Sequence, residues 1–217
     1  PVDKQKKLIQ IGLFLAMILR IAMLSGISFL IQIKITLFNV NLDWFSSDIS
    51  IQAIILLAGG LFLLYKSTIE IFRKVEDIEE GPISKNLKSI SYYRALFQII
   101  LIDIVFSFDS ILTAVGMTNG IPYALWIMII SVIVSIIIMM SFAAPVSRYI
   151  NKHPSLQILG LSFLLLIGFM LIAESAYLSN TTFFGSSLGR IPKGYLYFSI
   201  TFSLGIEMIN MRIRKRK

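Results

Sequence analysis

Long apolar runs broken by short polar punctuation dominate this chain. Six of them stand out, at about residues 8–33, 49–67, 95–117, 123–144, 156–173 and 195–211. Each approaches the roughly 20 residues with which an α-helix crosses a hydrocarbon layer. The pattern predicts an all-α fold, a polytopic transmembrane helical bundle of six spans forming one domain over residues 1–217. The longest separator, 68–94, reads as a long loop. Within it, Glu76-Asp-Ile-Glu-Glu80 followed by Gly81-Pro82 reads as a solvated helix end.

Composition supports this reading. Of 217 residues, 56% are hydrophobic and 15% charged, against about 25% charged in a soluble domain. Too few charges remain to clothe a water-facing surface, so the lipid bilayer is the first partner. The net charge of +8 would suit nucleic acid, but its distribution gives another explanation. Sixteen Lys and Arg fall at the two termini and around residues 66–94 and 148–152. Three (Lys34, Arg190 and Lys193) fall on the opposite side, and Arg20 lies inside a span. Basic residues collect on the cytoplasmic side of membrane proteins. The expectation is therefore a multi-pass membrane protein with both termini and the 68–94 loop cytoplasmic, and no nucleic-acid partner. Trp44, Tyr123 and Trp126 near outer span ends, and Tyr92 and Tyr93 near an inner one, fit interfacial aromatic belts.

Cysteine is absent and His153 is the single histidine. Disulfides, thiolate metal sites and multi-histidine zinc sites are thereby excluded. A metal here has to be held by oxygen, with methionine sulfur as the remaining option.

That turns attention to Asp103 and Asp109, both inside the third apolar run. An ionised carboxylate at the bilayer centre costs about 2.5–3.5 kcal/mol on insertion scales, so two in one span call for partners. On an ideal helix Asp103, Ser107, Ser110 and Ala114 share a face, while Asp109 lies about 120° around and ~9 Å along the axis. One straight helix cannot bring both carboxylates to one ion. Either Asp109 meets a ligand on another helix, or the span breaks near Ser107–Ser110 and frees carbonyls for a hard cation. A purely structural role is the competing reading, with Asp103 salt-bridged to Arg20 or held neutral by a serine hydroxyl.

Four further residues sit in apolar surroundings. Arg20 is expected to pair with an acid. Glu174, at an outer span end, is either solvated or guards an exit. Glu207 is deeper, and either pairs with a base or lines a polar path. Met117 is a packing residue or a soft ligand beside the acidic motif.

The stretch Asp103-Ile-Val-Phe-Ser-Phe-Asp-Ser-Ile-Leu-Thr-Ala-Val-Gly-Met117 resembles the TerC-like membrane protein family, most closely a bacterial branch often fused to CBS domains. Leu57-Ala-Gly-Gly-Leu-Phe-Leu-Leu-Tyr-Lys66, Leu161-Ser-Phe-Leu-Leu-Leu-Ile-Gly168 and Ile191-Pro-Lys-Gly-Tyr-Leu-Tyr197 extend the likeness. The resemblance implies a seven-helix, inverted-repeat fold. It also implies cation ligation by Asp103 and Asp109 with support from Ser107 and Ser110. In this family a first helix carries a second acidic motif. Pro1–Lys7 aligns with the loop after that helix, so the motif is expected outside this sequence, as are the CBS-type domains.

Three function classes follow. The first is a divalent cation exporter or metal-resistance transporter, with Mn²⁺ as transported ligand and no permanently bound cofactor. Manganese accepts the carboxylate, hydroxyl and carbonyl oxygens on offer. The second is a non-transporting membrane partner or assembly factor, or an inactive family member, acting through a homo-oligomer or another membrane protein. An intramembrane aspartyl protease is the third. It is set aside because the Tyr-Asp and Gly-x-Gly-Asp motifs of such enzymes do not occur here.

Overall fold

The computed structural model describes residues 15, 18–26, 36–79, 92–118 and 120–214. Its elements in chain order are α1 (18–26), β1 (Thr36–Leu42), β2 (Phe45–Ser50), α2 (Ile51–Glu79), α3 (Tyr92–Thr118), α4 (Ala124–Asn151), α5 (Pro154–Leu178), β3 (Thr182–Phe183), β4 (Ser186–Ser187) and α6 (Lys193–Arg214). The chain divides into two compact units, one over residues 1–35 and 86–148, the other over 36–85 and 149–217.

Helices dominate, as the apolar runs predict. Among the described residues α2, α3, α4 and α5 are long and apolar enough to cross a membrane. Their outward faces are apolar: Ile130, Val134, Ile137 and Ile138 of α4, and Leu57 and Leu61 of α2, are exposed. A helix that hides little and shows aliphatic side chains all round is built for lipid. The first expected span, 8–33, is helical at 18–26 and otherwise falls largely outside the described residues. The sixth is helical as α6, but Glu207, Asn210 and several hydroxyls leave it less apolar than the other four.

One boundary needs correction. Residues 68–79, expected in the long loop, continue α2 to Glu79. Hydropathy falls from Lys66 onward as charged residues enter, but no breaker precedes Gly81-Pro82, so the backbone stays helical. Residues 80–91 lie outside the described residues.

In the first unit α3 buries Val105, Ser107, Phe108 and Ile111, and Leu24 of α1 and Met128 and Ile136 of α4 are also buried. α3 closes at Thr118, whose carbonyl accepts Ile121 N–H at 3.1 Å, and whose hydroxyl approaches Met128 Sδ at 3.6 Å.

In the second unit α2 and α5 pack along most of their lengths. They run antiparallel: Ser175 Oγ donates to the Ala53 carbonyl at 2.7 Å near one end, and Lys74 Nζ donates to Gln157 Oε1 near the other. Midway, two glycines set the spacing. A Cβ on Gly60 would stand 2.8 Å from the Gly168 carbonyl oxygen, and one on Gly168 would stand 3.0 Å from the Gly60 carbonyl oxygen. Small residues of this kind let membrane helices approach closely enough for backbone van der Waals contact. The crossing is reciprocal, and so is the sequence around it. Gly60 precedes Lys66-Ser67 by the same interval as Gly168 precedes Glu174-Ser175, and Ser67 and Ser175 are both buried.

A four-stranded antiparallel sheet, order β1-β2-β3-β4, adjoins the start of α2 and the end of α5. It was not anticipated from the sequence. Ser50 links sheet to helix, its Oγ accepting Ala53 N–H at 3.2 Å as an N-cap of α2. Asp48 N–H donates to the Ser179 carbonyl at 2.7 Å, and hydroxyl pairs Ser46–Thr182 (2.7 Å) and Ser47–Thr181 (3.1 Å) tie β2 to the chain leaving α5. The far end is aromatic. Trp44, Phe45, Phe183 and Phe184 lie with ring centroids 5.1–6.5 Å apart, and Phe184 N–H donates to the Trp44 carbonyl at 2.9 Å.

Candidate functional site

The site is built on α3. Ala95–Met117 offers no proline or mid-run glycine, and the helix runs unbroken from Tyr92 to Thr118. The break considered near Ser107–Ser110 does not occur. Ser110 Oγ bonds back to the Phe106 carbonyl at 2.9 Å and the Ser107 carbonyl at 3.1 Å, and Thr113 Oγ1 donates to the Asp109 carbonyl at 2.9 Å. These hydroxyls are satisfied along their own helix, which lets polar side chains sit in an apolar segment at small cost.

Asp103 is held differently. Arg20 Nε donates to Asp103 Oδ2 at 3.2 Å and the Arg20 terminal nitrogen donates to Oδ1, a two-pronged grip. Ser107 Oγ adds a third donor to Oδ2 at 3.3 Å. The two ionic side chains keep 22% and 17% of their surface, so the pair is largely but not wholly enclosed. Charge-assisted, bidentate contacts are the strong class of hydrogen bond. Removing either partner would strand a charge, the costly way to break such a pair.

The structure thus brings Arg20, Asp103 and Ser107 together. Asp109 stands on a different face of α3, as six helical residues require. Ser110 shares the Asp103 side but is exposed and turned to its own backbone. Among the described residues no group of three or more His, Asp or Glu side chains is gathered in a way that could hold a metal ion. Met117 is 77% exposed, away from packed surroundings.

The remaining two acids lie in the second unit. Glu174 is buried, 8% exposed, with Arg190 Nη2 3.3 Å from its Oε1. It is therefore neither simply solvated nor alone. Arg190 follows β4, and sequence reasoning missed it as a partner because hydropathy reports no fold-back of that loop. The one available signal was a lone arginine on the side poor in basic residues. Glu207 lies on the partly covered face of α6 that also carries Ser199 and Ser203, and among the described residues it has no ion-pair partner.

The chain is 40% identical over 205 residues to a UPF0053 protein of Haemophilus influenzae, covering 94% of this chain and 78% of that one. It is 38% identical over 208 residues to the UPF0053 inner membrane protein YgdQ of Escherichia coli K12, covering 96% and 78%. YoaE, another UPF0053 inner membrane protein of that strain, is 36% identical over 215 residues, 99% of this chain but 38% of its own length. No solved structure matches the chain. The family model for the integral membrane protein TerC family matches residues 1–217, and the chain belongs to that family.

Proposed function

We propose that this protein moves a divalent metal cation, Mn²⁺ foremost, across a bacterial inner membrane, and that Asp103 is the residue through which it handles the charge. The observation that carries this reading is a carboxylate set deep in an apolar helix, bound by one cation of the protein's own and one hydroxyl. A membrane segment retains such a group at an insertion cost of about 2.5–3.5 kcal/mol, and intramembrane acids of this kind mark ion pathways. The donors nearby are hard oxygens, the set that suits Mn²⁺. Asp109 and the Ser110 and Thr113 hydroxyls extend the polar content of the same helix. Glu174 and Glu207 belong to the other unit and are assigned no ligand role.

Two names among the relatives specify the inner membrane for those proteins, and the distribution of basic residues supports cytoplasmic termini here. Export is then the direction in which cytoplasmic Mn²⁺ enters everted vesicles. Uptake of radioactive Mn²⁺ into such vesicles should depend on the protein and fall to background with Asp103→Asn. Flux that persists in Asp103→Asn would sink the assignment of that residue, and equal flux in Asp109→Asn would remove Asp109 from the path.

The ion pair itself favours a second reading, a non-transporting membrane partner, because Asp103 is already neutralised by Arg20. Its mark is a stable crosslinked partner protein together with Mn²⁺ flux that stays at background.

A further inference from the structure

The Arg20 grip uses both oxygens of Asp103. Nε takes Oδ2, the terminal nitrogen takes Oδ1, and Ser107 completes Oδ2. A divalent cation at either oxygen would stand against the guanidinium and be repelled by it. Cation and Arg20 therefore compete for one carboxylate. Arginine cannot leave by losing its proton, since it stays charged in proteins. It can leave only by swinging its long side chain, and neither member of the pair is sealed, at 22% and 17% exposed.

We propose that Arg20 is a tethered counter-ion, a built-in competitor that occupies Asp103 when cargo is absent and displaces cargo at release. This rests on the cation-transport reading of Asp103. In the unloaded protein the pair neutralises the site, so no bare carboxylate faces the apolar surroundings. On loading, the cation replaces the guanidinium. On release, the guanidinium returns and keeps the same ion from rebinding. Arg20 is thus a positioning residue that sets affinity and turnover in opposite directions, without being a ligand itself.

A merely structural clasp would have no such effect. Losing it would destabilise the helix pair and reduce the amount of active protein, leaving the affinity of the survivors unchanged.

The test uses the full chain in lipid. Mn²⁺ binding is read in nanodiscs from the electron paramagnetic resonance of the free ion, and flux in proteoliposomes. With Arg20→Gln, Mn²⁺ should bind about tenfold tighter or more, the scale of a lost charge-assisted contact. Flux should show a lower KM and a lower kcat, because release is slowed. Should Arg20→Gln fail to fold, Arg20→Lys carries the test. It keeps the charge but loses the two-pronged fork, and should give a smaller shift in the same direction, about threefold in affinity. Folded Arg20 variants with wild-type or weaker Mn²⁺ affinity would overturn the counter-ion role. If the wild type then still binds and moves Mn²⁺ and Asp103→Asn does not, the transport reading stands without it. If the wild type neither binds nor moves Mn²⁺, both fall.

Discussion

Two helix pairs in this protein are held by opposite kinds of chemistry. α1 and α3 meet through a charged contact, Arg20 on Asp103, in a segment where charge is expensive. α2 and α5 meet through an absence of side chain, with Gly60 and Gly168 each placed against the other's carbonyl oxygen. The glycine seam has one good arrangement. Its backbones are already as close as atoms allow, and sliding by a turn would drive Leu64 or Ile172 into the gap. The ion pair is strong, but one of its partners is a long, rotatable side chain. Glycine packing suits a fixed frame, and a charged contact suits a site whose occupant changes.

That contrast can be broken most forcefully at Asp103. Asp103→Ala leaves the Arg20 charge enclosed without its partner, and should cost about 3–5 kcal/mol, read as a lower thermal midpoint in detergent and as loss of Mn²⁺ flux. Adding Arg20→Gln removes the stranded charge, so the double variant should recover most of the stability and none of the flux. If the double variant is as unstable as the single one, the cost lies in packing and the charge account is wrong.

The next largest effect is expected at the seam. Gly60→Val puts a branched side chain where even a Cβ lies 2.8 Å from the Gly168 carbonyl oxygen. Overpacking of this sort costs about 1–3 kcal/mol, and the residue opposite is backbone, which cannot rotate away. Midpoints of thermal unfolding should fall accordingly, while the Mn²⁺ affinity of the folded fraction stays as in the wild type. A changed affinity would mean that the seam is part of the moving machinery. Smaller again is Ser175→Ala, which removes the bond to the Ala53 carbonyl and should cost about 1 kcal/mol in the same assay.

How far the sequence foretold these features depends on what each one needs. Apolar run length needs only composition, so the existence of α2 to α6 was legible. It marks where composition turns polar, not where a helix ends, which is why α2 overran its expected boundary into 68–79. The pairing of Arg20 was legible because a lone charge in a span must find an acid, and the structural reading of Asp103 already named that partner. The seam was not read, since Gly60 and Gly168 become neighbours only once two distant helices are antiparallel. The sheet escaped for a related reason. β3 and β4 have two residues each, too few for any period, and they exist through pairing with β2. Of the two readings of Glu174 the solvated one fails, because its cover, Arg190, arrives from the same fold-back.

The smallest effect is expected where the second unit ends in its sheet, and it asks whether the seam depends on that cap. Phe184 and Gly185 form the turn between β3 and β4 with φ of +48° and +77°, the left-handed pair that two-residue hairpins require. Glycine takes this at no steric cost, but an aromatic residue there is strained by about 1 kcal/mol. Phe184 is nevertheless 82% exposed, so burial within the chain does not compensate. Its contact with Trp44, at 6.4 Å between centroids, is worth at most about 0.5–1.5 kcal/mol. Phe184→Asn, which tolerates the turn, should therefore leave stability in detergent within about 1 kcal/mol of the wild type. Hydrogen exchange of the α2 and α5 amides should be unaltered. Faster exchange along both helices would show that the frame is closed from the sheet end and not by the two glycines.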